Sequence, residues 1–333
     1  MQLLLLLAGA GTRLRPLSLT RPKCLIRLAG KPVLGHLLDR IVAKAPIDEL
    51  VLVCSPGHRQ EIEDYLRAAY GLPMVSVAQV KPRGQAHAVH MARRYLRGPF
   101  LLAFGDTIVE AALGAMGSRE DAMIFVKETD SPQWHGAVTL RGDRVLGIEE
   151  KPHIAPSRQV AAGLYFIRDR ALFLHCVEEV VTSRQQRQGE TYLADAFQRM
   201  IDKGAVIAAK VADRWEDCGE PGGLLAAHRY LLEGAAYIPA NVRRTDVMIR
   251  PPVHIADSVL VEASEVGHYV SIGAGAIVRG STLSDCIVGE GTVIEDSELS
   301  GSIVGQQVLI RGLRGGVEVL LGDYSRVGSE EAS

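Results

Sequence analysis

Hydrophobic and polar positions alternate in blocks over the first 235 or so residues. Short apolar runs recur as "LLLLL" (3–7), "LVLVCSP" (50–56), "MVSVAQV" (74–80) and "PFLLAFGD" (99–106). Each is shorter than a typical helix, and a glycine, proline or charged residue closes it. That is the pattern of strands buried on both faces. Between them the period lengthens. "HRQEIEDYLRAAYG" (58–71) reads as an amphipathic helix with a glycine stop, and "GQAHAVHMARRYL" (84–96) as a second helix. Strand, loop and helix in repetition predict an α/β fold: a mostly parallel, Rossmann-like sheet with helices on both faces. Such sheets bind ligands at the carboxyl ends of their strands, where the loops at 8–15 and 105–107 fall.

The pattern changes after about residue 240. Helical periodicity stops and aliphatic residues recur every sixth position: Ile249, Ile255, Val261; then Val266, Ile272, Val278; then Val288 and Ile294, Val304 and Ile310. A sixteen-residue period lies over this one, through Ile272, Val288 and Val304, through Val278, Ile294 and Ile310, and through Leu283 and Leu299. Gly273, Gly289 and Gly305 keep the same register. Six-residue repeats of aliphatic side chains predict a short left-handed parallel β-helix, each coil stacking on the next. The expected domains are therefore 1–240 and 241–333.

Length and composition narrow the class. A chain of 333 residues exceeds what one core usually spans. Its 47% hydrophobic and 23% charged residues are ordinary for a globular protein, and a net charge of −2 suggests neither a nucleic-acid nor a membrane partner. Five scattered cysteines (24, 54, 176, 218, 286), odd in number and without a CxxC pair, suggest free thiols in a reducing compartment. The opening "MQLLLLLAGAGTRLRP" resembles a secretory signal in its leucines and small residues. However, no basic residue precedes the leucines, the run is short, and Arg13 and Arg15 follow it directly. A buried strand feeding a glycine loop fits better, and the expected location is cytoplasmic.

That loop is the first candidate for chemistry. Gly9, Ala10, Gly11 and Thr12 can turn backbone N–H groups toward an anion. Arg13 adds a planar cation suited to phosphate oxygens, and Lys23 a point charge. The stretch is not GxGxxG, since position 14 is leucine, and no Gly-Lys-Ser/Thr follows to make a P-loop. Arg13, Arg15, Arg21 and Lys23 crowded after the glycines point to a polyphosphate. There is no zinc-spaced His/Cys cluster and no GxSxG motif, so a covalent route is not suggested. His87 and His90 read as ordinary helix residues.

With these residues in view, the chain resembles the sugar-phosphate nucleotidyltransferases, or nucleotide-sugar pyrophosphorylases. Leu7-Ala8-Gly9-Ala10-Gly11-Thr12-Arg13-Leu14-Arg15-Pro16-Leu17-Ser18 is similar to their first motif, one residue shorter in the loop, and Pro22-Lys23-Cys24-Leu25 supplies its second part. Further segments follow in order: "QVKPRGQAHAV" (79–89), "FGDT" (104–107), "HGAVTL" (135–140), "EEKP" (149–152), "AGLYFI" (162–167), "GETYLADAF" (189–197) and "WEDCGEPGGLLAAHRYLL" (215–232). "LLGDYSRVG" (320–328) resembles the tail of the long-form glucose-1-phosphate thymidylyltransferases.

The resemblance implies transfer of a nucleotidyl group from a nucleoside triphosphate to a sugar 1-phosphate with release of pyrophosphate. It favours dTTP and glucose 1-phosphate. The catalytic residues implied are Arg13, Lys23, Asp106 and Lys151. The nucleotide would be held by Leu7, Ala8, Gly9, Gly11, Thr12, Arg13, Lys23, Gln79 and Gly84, with Gln79 reading the base. The sugar phosphate would lie on Gly136, Glu150, Lys151 and Gly163. Mg²⁺ would sit on Asp106 and Asp217. The residues agree with these roles: two carboxylates from separate strand ends can share one Mg²⁺. Lys151 precedes a proline, which predicts an extended backbone projecting its cation from a strand end. The implied partners are the two substrates, and the expected assembly is a homo-oligomer. UTP in place of dTTP is the nearest alternative. A second, acyl-transfer activity of the β-helix, using His254 or His268, and a relative without turnover are the others.

Overall fold

The computed structural model describes residues 1–117, 119–183, 189–234 and 236–328, so residues 329–333 of the expected second domain lie outside the described residues. The chain forms two compact units, Met1–Gly9 with His36–Trp215, and Ala10–Gly35 with Glu216–Ser333. This division follows packing, whereas the boundary expected at 240 marks where the six-residue pattern begins.

The first unit is built on a nine-stranded sheet. Its strands are β1 (Gln2–Leu6), β2 (Glu49–Cys54), β3 (Met74–Ala78), β4 (Phe100–Phe104), β5 (Ala122–Glu128), β6 (Gly136–Arg141), β7 (Arg144–Glu150), β8 (Gln159–Ile167) and β9 (Ile207–Val211). They lie in the order β3-β2-β1-β4-β8-β5-β9-β7-β6. Its helices include α1 (Arg59–Tyr70), α2 (Gln85–Ala92), α3 (Arg170–Thr182) and α4 (Leu193–Asp202). The first four strands in the sheet order are parallel throughout, as is the β5–β9 pair. The rest departs from the expected mostly parallel sheet. β8 runs antiparallel to both β4 and β5, and β7 antiparallel to both β6 and β9. For the β6–β7 pair the cause is connection length. Parallel neighbours need a crossover of a dozen or more residues, usually a helix. Only Gly142 and Asp143 separate β6 from β7, so those two strands form a hairpin.

The leucine run explains itself in β1. Leu4 joins a core with Val51, Val53, Leu102, Ile124, Phe173 and Phe197. Leu3 and Leu5, on the opposite face, are equally inaccessible to solvent. A strand covered on both faces needs apolar side chains at every position, each burial contributing roughly 1.5–3 kcal/mol.

The second unit carries α5 (Pro221–Leu232) and two sets of short parallel strands. One set stacks Val253–Ile255, Val270–Ile272, Ile287–Val288, Ile303–Val304 and Leu320–Leu321. In the other, Leu260–Val266 pairs with Ile277–Arg279 through its first half and with Thr282–Ser284 through its last residues. Three aliphatic columns result. Ile272, Val288 and Val304 are in register in the first. Val261, Val278, Ile294 and Ile310 form the second. Val266, Leu283 and Leu299 form the third. All belong to one buried cluster. Buried hydroxyls satisfy the backbone at one corner of the stack. Ser264 Oγ accepts from Ser281 N, Ser281 Oγ from Ser297 N, and Ser297 Oγ from Leu313 N, each at 3.1 Å. Among the described residues no helix is long and apolar enough to cross a membrane.

Candidate functional site

In the second unit the basic loop folds on itself. Ser18, which is buried, donates from Oγ to Gly11 O at 2.6 Å, and Leu14 N donates to the same oxygen at 2.9 Å. The β-carbon position of Gly11 lies 3.3 Å from Lys23 Cβ, so Lys23 and Gly11 are neighbours. Ser18 had no assigned role in the sequence reading, although it closes the first motif. Thr12 and Arg13 lie in a single turn of helix, Thr12–Leu14. Arg13 is two-thirds exposed, with Nη1 3.6 Å from the Glu220 carboxylate. Asp217 ends the strand Arg214–Asp217, and its Oδ1 accepts from Gly219 N at 2.8 Å. A side chain at Gly219 would meet Asp217 Oδ1 at 2.9 Å and Arg13 Nη2 at 3.0 Å. Arg13 and Asp217, far apart in sequence, therefore lie on the same corner.

In the first unit, Leu7 and Ala8 leave β1 buried and Gly9 is exposed; Leu7 N donates to Val53 O at 2.8 Å. Gln79 follows β3, with its backbone N donating to Cys54 O at 2.8 Å and its side chain buried. Gln79 Nε2 donates to Gly84 O at 3.3 Å and lies 2.9 Å from His87 Nδ1. Gly84 has φ of +92° and stands against the backbone of Thr191. A β-carbon there would come within 2.3 Å of Thr191 O. Thr191 N donates to Arg83 O (2.9 Å), Ala86 N to Thr191 O (3.1 Å) and His87 N to Thr191 Oγ1 (3.1 Å). Sequence reasoning missed Thr191 and treated His87 as an ordinary helix residue. The signal was present in the quoted "GETYLADAF" segment, which carried no residue role.

The candidate sugar residues lie on neighbouring strands. Gly136 and Glu150 are register partners in the β6–β7 pair, and the β-carbon position of Gly136 is 3.2 Å from Glu150 Oε2. Lys151 follows immediately and corrects one expectation. Its φ is +45°, a left-handed residue and not an extended one. Lys151 N donates to His135 O at 2.9 Å, which closes the open end of the hairpin and turns the chain there. That long-range bond overrides the local preference set by Pro152. Lys151 Nζ lies 5.7 Å from the centre of the Tyr192 ring, within cation–π range. Gly163 sits at a bulge in β8 between Ala161 and Tyr165, with φ of +77°. A side chain there would meet Phe104 Cδ2 at 3.1 Å and Thr107 Oγ1 at 3.3 Å. Those residues bracket Asp106, which occupies the turn after β4.

A divalent cation can be tested against these residues. No group of three or more His, Cys, Asp or Glu side chains suited to a metal occurs among the described residues. Mg²⁺ is usually held by one or two carboxylates with water and substrate phosphates completing its shell. Taken separately, Asp106 and Asp217 each offer hard carboxylate oxygens of the kind that ion takes, and Asp217 is oriented by Gly219 N–H. The two histidines weighed for acyl transfer are engaged locally. The His254 ring stacks on Tyr237 with centres 4.9 Å apart, and His268 Nδ1 is hydrogen-bonded with Pro251 O.

Known proteins resemble this chain over most of its length. It is 29% identical over 315 residues to the glucose-1-phosphate thymidylyltransferase of Streptomyces antibioticus, covering 86% of this chain and 87% of that one. It is 31% identical over 234 residues to the bifunctional protein GlmU of Methanocaldococcus jannaschii, covering 70% of this chain but only 55% of that longer protein. A UDP-glucose pyrophosphorylase structure from Acinetobacter baumanii superposes with a TM-score of 0.57 at 21% identity, covering 71% of this chain and 94% of that one, a likeness of fold. The nucleotidyl transferase family model matches residues 2–234. With the match spanning well over half of its residues, the chain belongs to the nucleotidyl transferase family of enzymes.

Proposed function

We propose that the protein joins a nucleoside triphosphate, dTTP or UTP, to a sugar 1-phosphate, with glucose 1-phosphate favoured. A phosphate oxygen of the sugar 1-phosphate attacks the α-phosphorus. The bond from that phosphorus to the bridging oxygen breaks, and pyrophosphate leaves. The attacking dianion is already nucleophilic at neutral pH, so no general base is required, and positioning with charge stabilisation carries the rate. Arg13 and Lys23 take the triphosphate, and the Gly9–Thr12 loop cradles it with backbone N–H groups. Gln79 and Gly84 take the base. Glu150 accepts from sugar hydroxyls beside Gly136 and Gly163, and Lys151 takes the sugar phosphate. Asp106 and Asp217 would hold Mg²⁺, which when bound polarises the α-phosphate. The C-terminal columns are read as a left-handed parallel β-helix with a stabilising or assembly role. The five cysteines are free and buried, which suits a reducing cytoplasm.

One observation carries the two-substrate reading. Thr191 locks Gly84 of the base-reading segment, and the next residue, Tyr192, places its ring against the Lys151 ammonium. Adjacent residues of one segment thus brace both candidate subsites. The test is Lys151→Ala, assayed by pyrophosphate release across several triphosphates and sugar 1-phosphates. Removing a cation from a partly dehydrated dianion costs roughly 2–5 kcal/mol. The sugar-phosphate KM should rise steeply while the triphosphate Kd, measured without sugar, holds. Equal loss of both, or no loss of either, removes Lys151 from the sugar subsite.

A further inference from the structure

We infer that His87 is a positioning residue that fixes the polarity of the Gln79 amide, so that the site selects a base with a ring N–H, uracil or thymine, over cytosine. The inference rests on the nucleotidyl-transfer reading above and assigns a cause to its base preference.

The argument starts with the orientation of one amide. Gln79 Nε2 lies 3.3 Å from Gly84 O. A carbonyl oxygen can only accept, so the NH₂ end of the amide must face it; the reversed amide would set two oxygens against each other. The same nitrogen lies 2.9 Å from His87 Nδ1. An amide nitrogen can only donate, so Nδ1 must accept. The imidazole is therefore neutral with its proton on Nε2. Both N–H groups of Gln79 are then used within the protein. Its Oε1 is left as the group that can meet a ligand, and it has no partner among the described residues. An acceptor in that place matches the N3–H of uracil or thymine and opposes the N3 lone pair of cytosine.

The surroundings keep His87 in the required state. Burial lowers its pKa below the ordinary imidazole value, and the Arg83 and His90 charges act in the same direction. Neither neighbour is a carboxylate that would favour the imidazolium. Thr191 Oγ1 accepts from His87 N and holds the start of the helix in place. Protonated His87 would present a second donor to Gln79 Nε2, and the amide could then satisfy it only by turning Oε1 inward.

The experiment measures kcat/KM for UTP, dTTP and CTP with one sugar 1-phosphate, in the parent, His87→Leu and His87→Asn. Asparagine places an amide oxygen near the Nδ1 position and should keep the preference for UTP or dTTP over CTP within about threefold. Leucine removes the acceptor and should reduce that preference at least tenfold, with the sugar-phosphate KM unchanged. The parent supplies a second check, read against the leucine variant. Its preference should hold at and above the ordinary imidazole range, where His87 is neutral, and any fall should come only below that range; the leucine variant reports the part of the fall that comes from protonation of cytosine N3 alone. A parent that prefers CTP, a leucine variant with full preference, or a parental preference that already falls above the ordinary imidazole range overturns the inference and leaves the transferase reading standing. A parent that releases pyrophosphate from no triphosphate with any sugar 1-phosphate overturns both.

Discussion

Gly84→Ala tests whether the base-reading segment is built as tightly as its hydrogen bonds indicate. Alanine at this position places its β-carbon 2.3 Å from Thr191 O and 2.6 Å from Thr191 N, with φ at +92°. Unstrained contacts of this kind lie near ~3.5 Å, so one backbone must retreat by about 1 Å. A retreat of that size stretches the bonds from Thr191 N to Arg83 O, from Ala86 N to Thr191 O and from His87 N to Thr191 Oγ1, now 2.9–3.1 Å, beyond useful range. Partial loss of three bonds, at about 1 kcal/mol net each, adds to roughly 1–3 kcal/mol of backbone strain. The expected destabilisation is about 3–5 kcal/mol, a fall in Tm of roughly 6–10 °C at ~2 °C per kcal/mol. Gly71→Ala is the control. Gly71 also has positive φ, +63°, but its added carbon would meet nothing within 4 Å. That variant should lose only the strain, about 1 kcal/mol. Urea unfolding of both reads the difference, and steady-state assays should show KM for both substrates raised in Gly84→Ala, because Tyr192 moves with Thr191. Equal loss of stability in the two variants would refute the close packing of Gly84 on Thr191.

Other outcomes follow from the same structure. Ile294 is fully buried between Val278 and Ile310, so Ile294→Asp should destabilise the second unit by several kcal/mol in calorimetry; a variant melting like the parent means the six-residue register is wrong. His228 is inaccessible to solvent, with Nδ1 accepting from Ala29 N, and burial lowers its pKa to about 4. The unfolded imidazole takes up its proton near 6.5 and the folded one only near 4. Stability is therefore fully present above 6.5 and lost as pH falls toward 4, by about 3 kcal/mol, and His228→Gln should flatten that slope in urea titrations. Asp106→Asn and Asp217→Asn should each lower Mg²⁺-dependent turnover at least about a hundredfold with unchanged thermal melting; near-parental rates in both would return these carboxylates to structural roles.

The amino-acid sequence alone determined the features that depend on which faces of an element are buried. Continuous apolar runs marked β1, β2 and β4 because both faces of those strands are covered. The six-residue period located Ile272, Val278 and Ile294 on buried columns because the stacked parallel strands repeat the same inward positions. The glycine after Tyr70 ended α1 where φ turns positive. The candidate residues Gln79 with Gly84, and Gly136 with Glu150, were legible from motif order, and each pair proves adjacent.

Only the tertiary structure decided the features set by a partner remote in sequence. β8 ran antiparallel to β4 and β5, and β7 to β9, each pair joining strands that lie tens of residues apart in the chain. Lys151 took a left-handed backbone because its N–H is claimed by His135 O, against the local preference set by Pro152. Thr191 reached Gly84 across more than a hundred residues, and that contact gave His87 its hydrogen-bonding role. Hydrophobic period reports whether a side chain is buried. It carries no record of which distant backbone atom stands opposite, and the candidate site is made of such pairs.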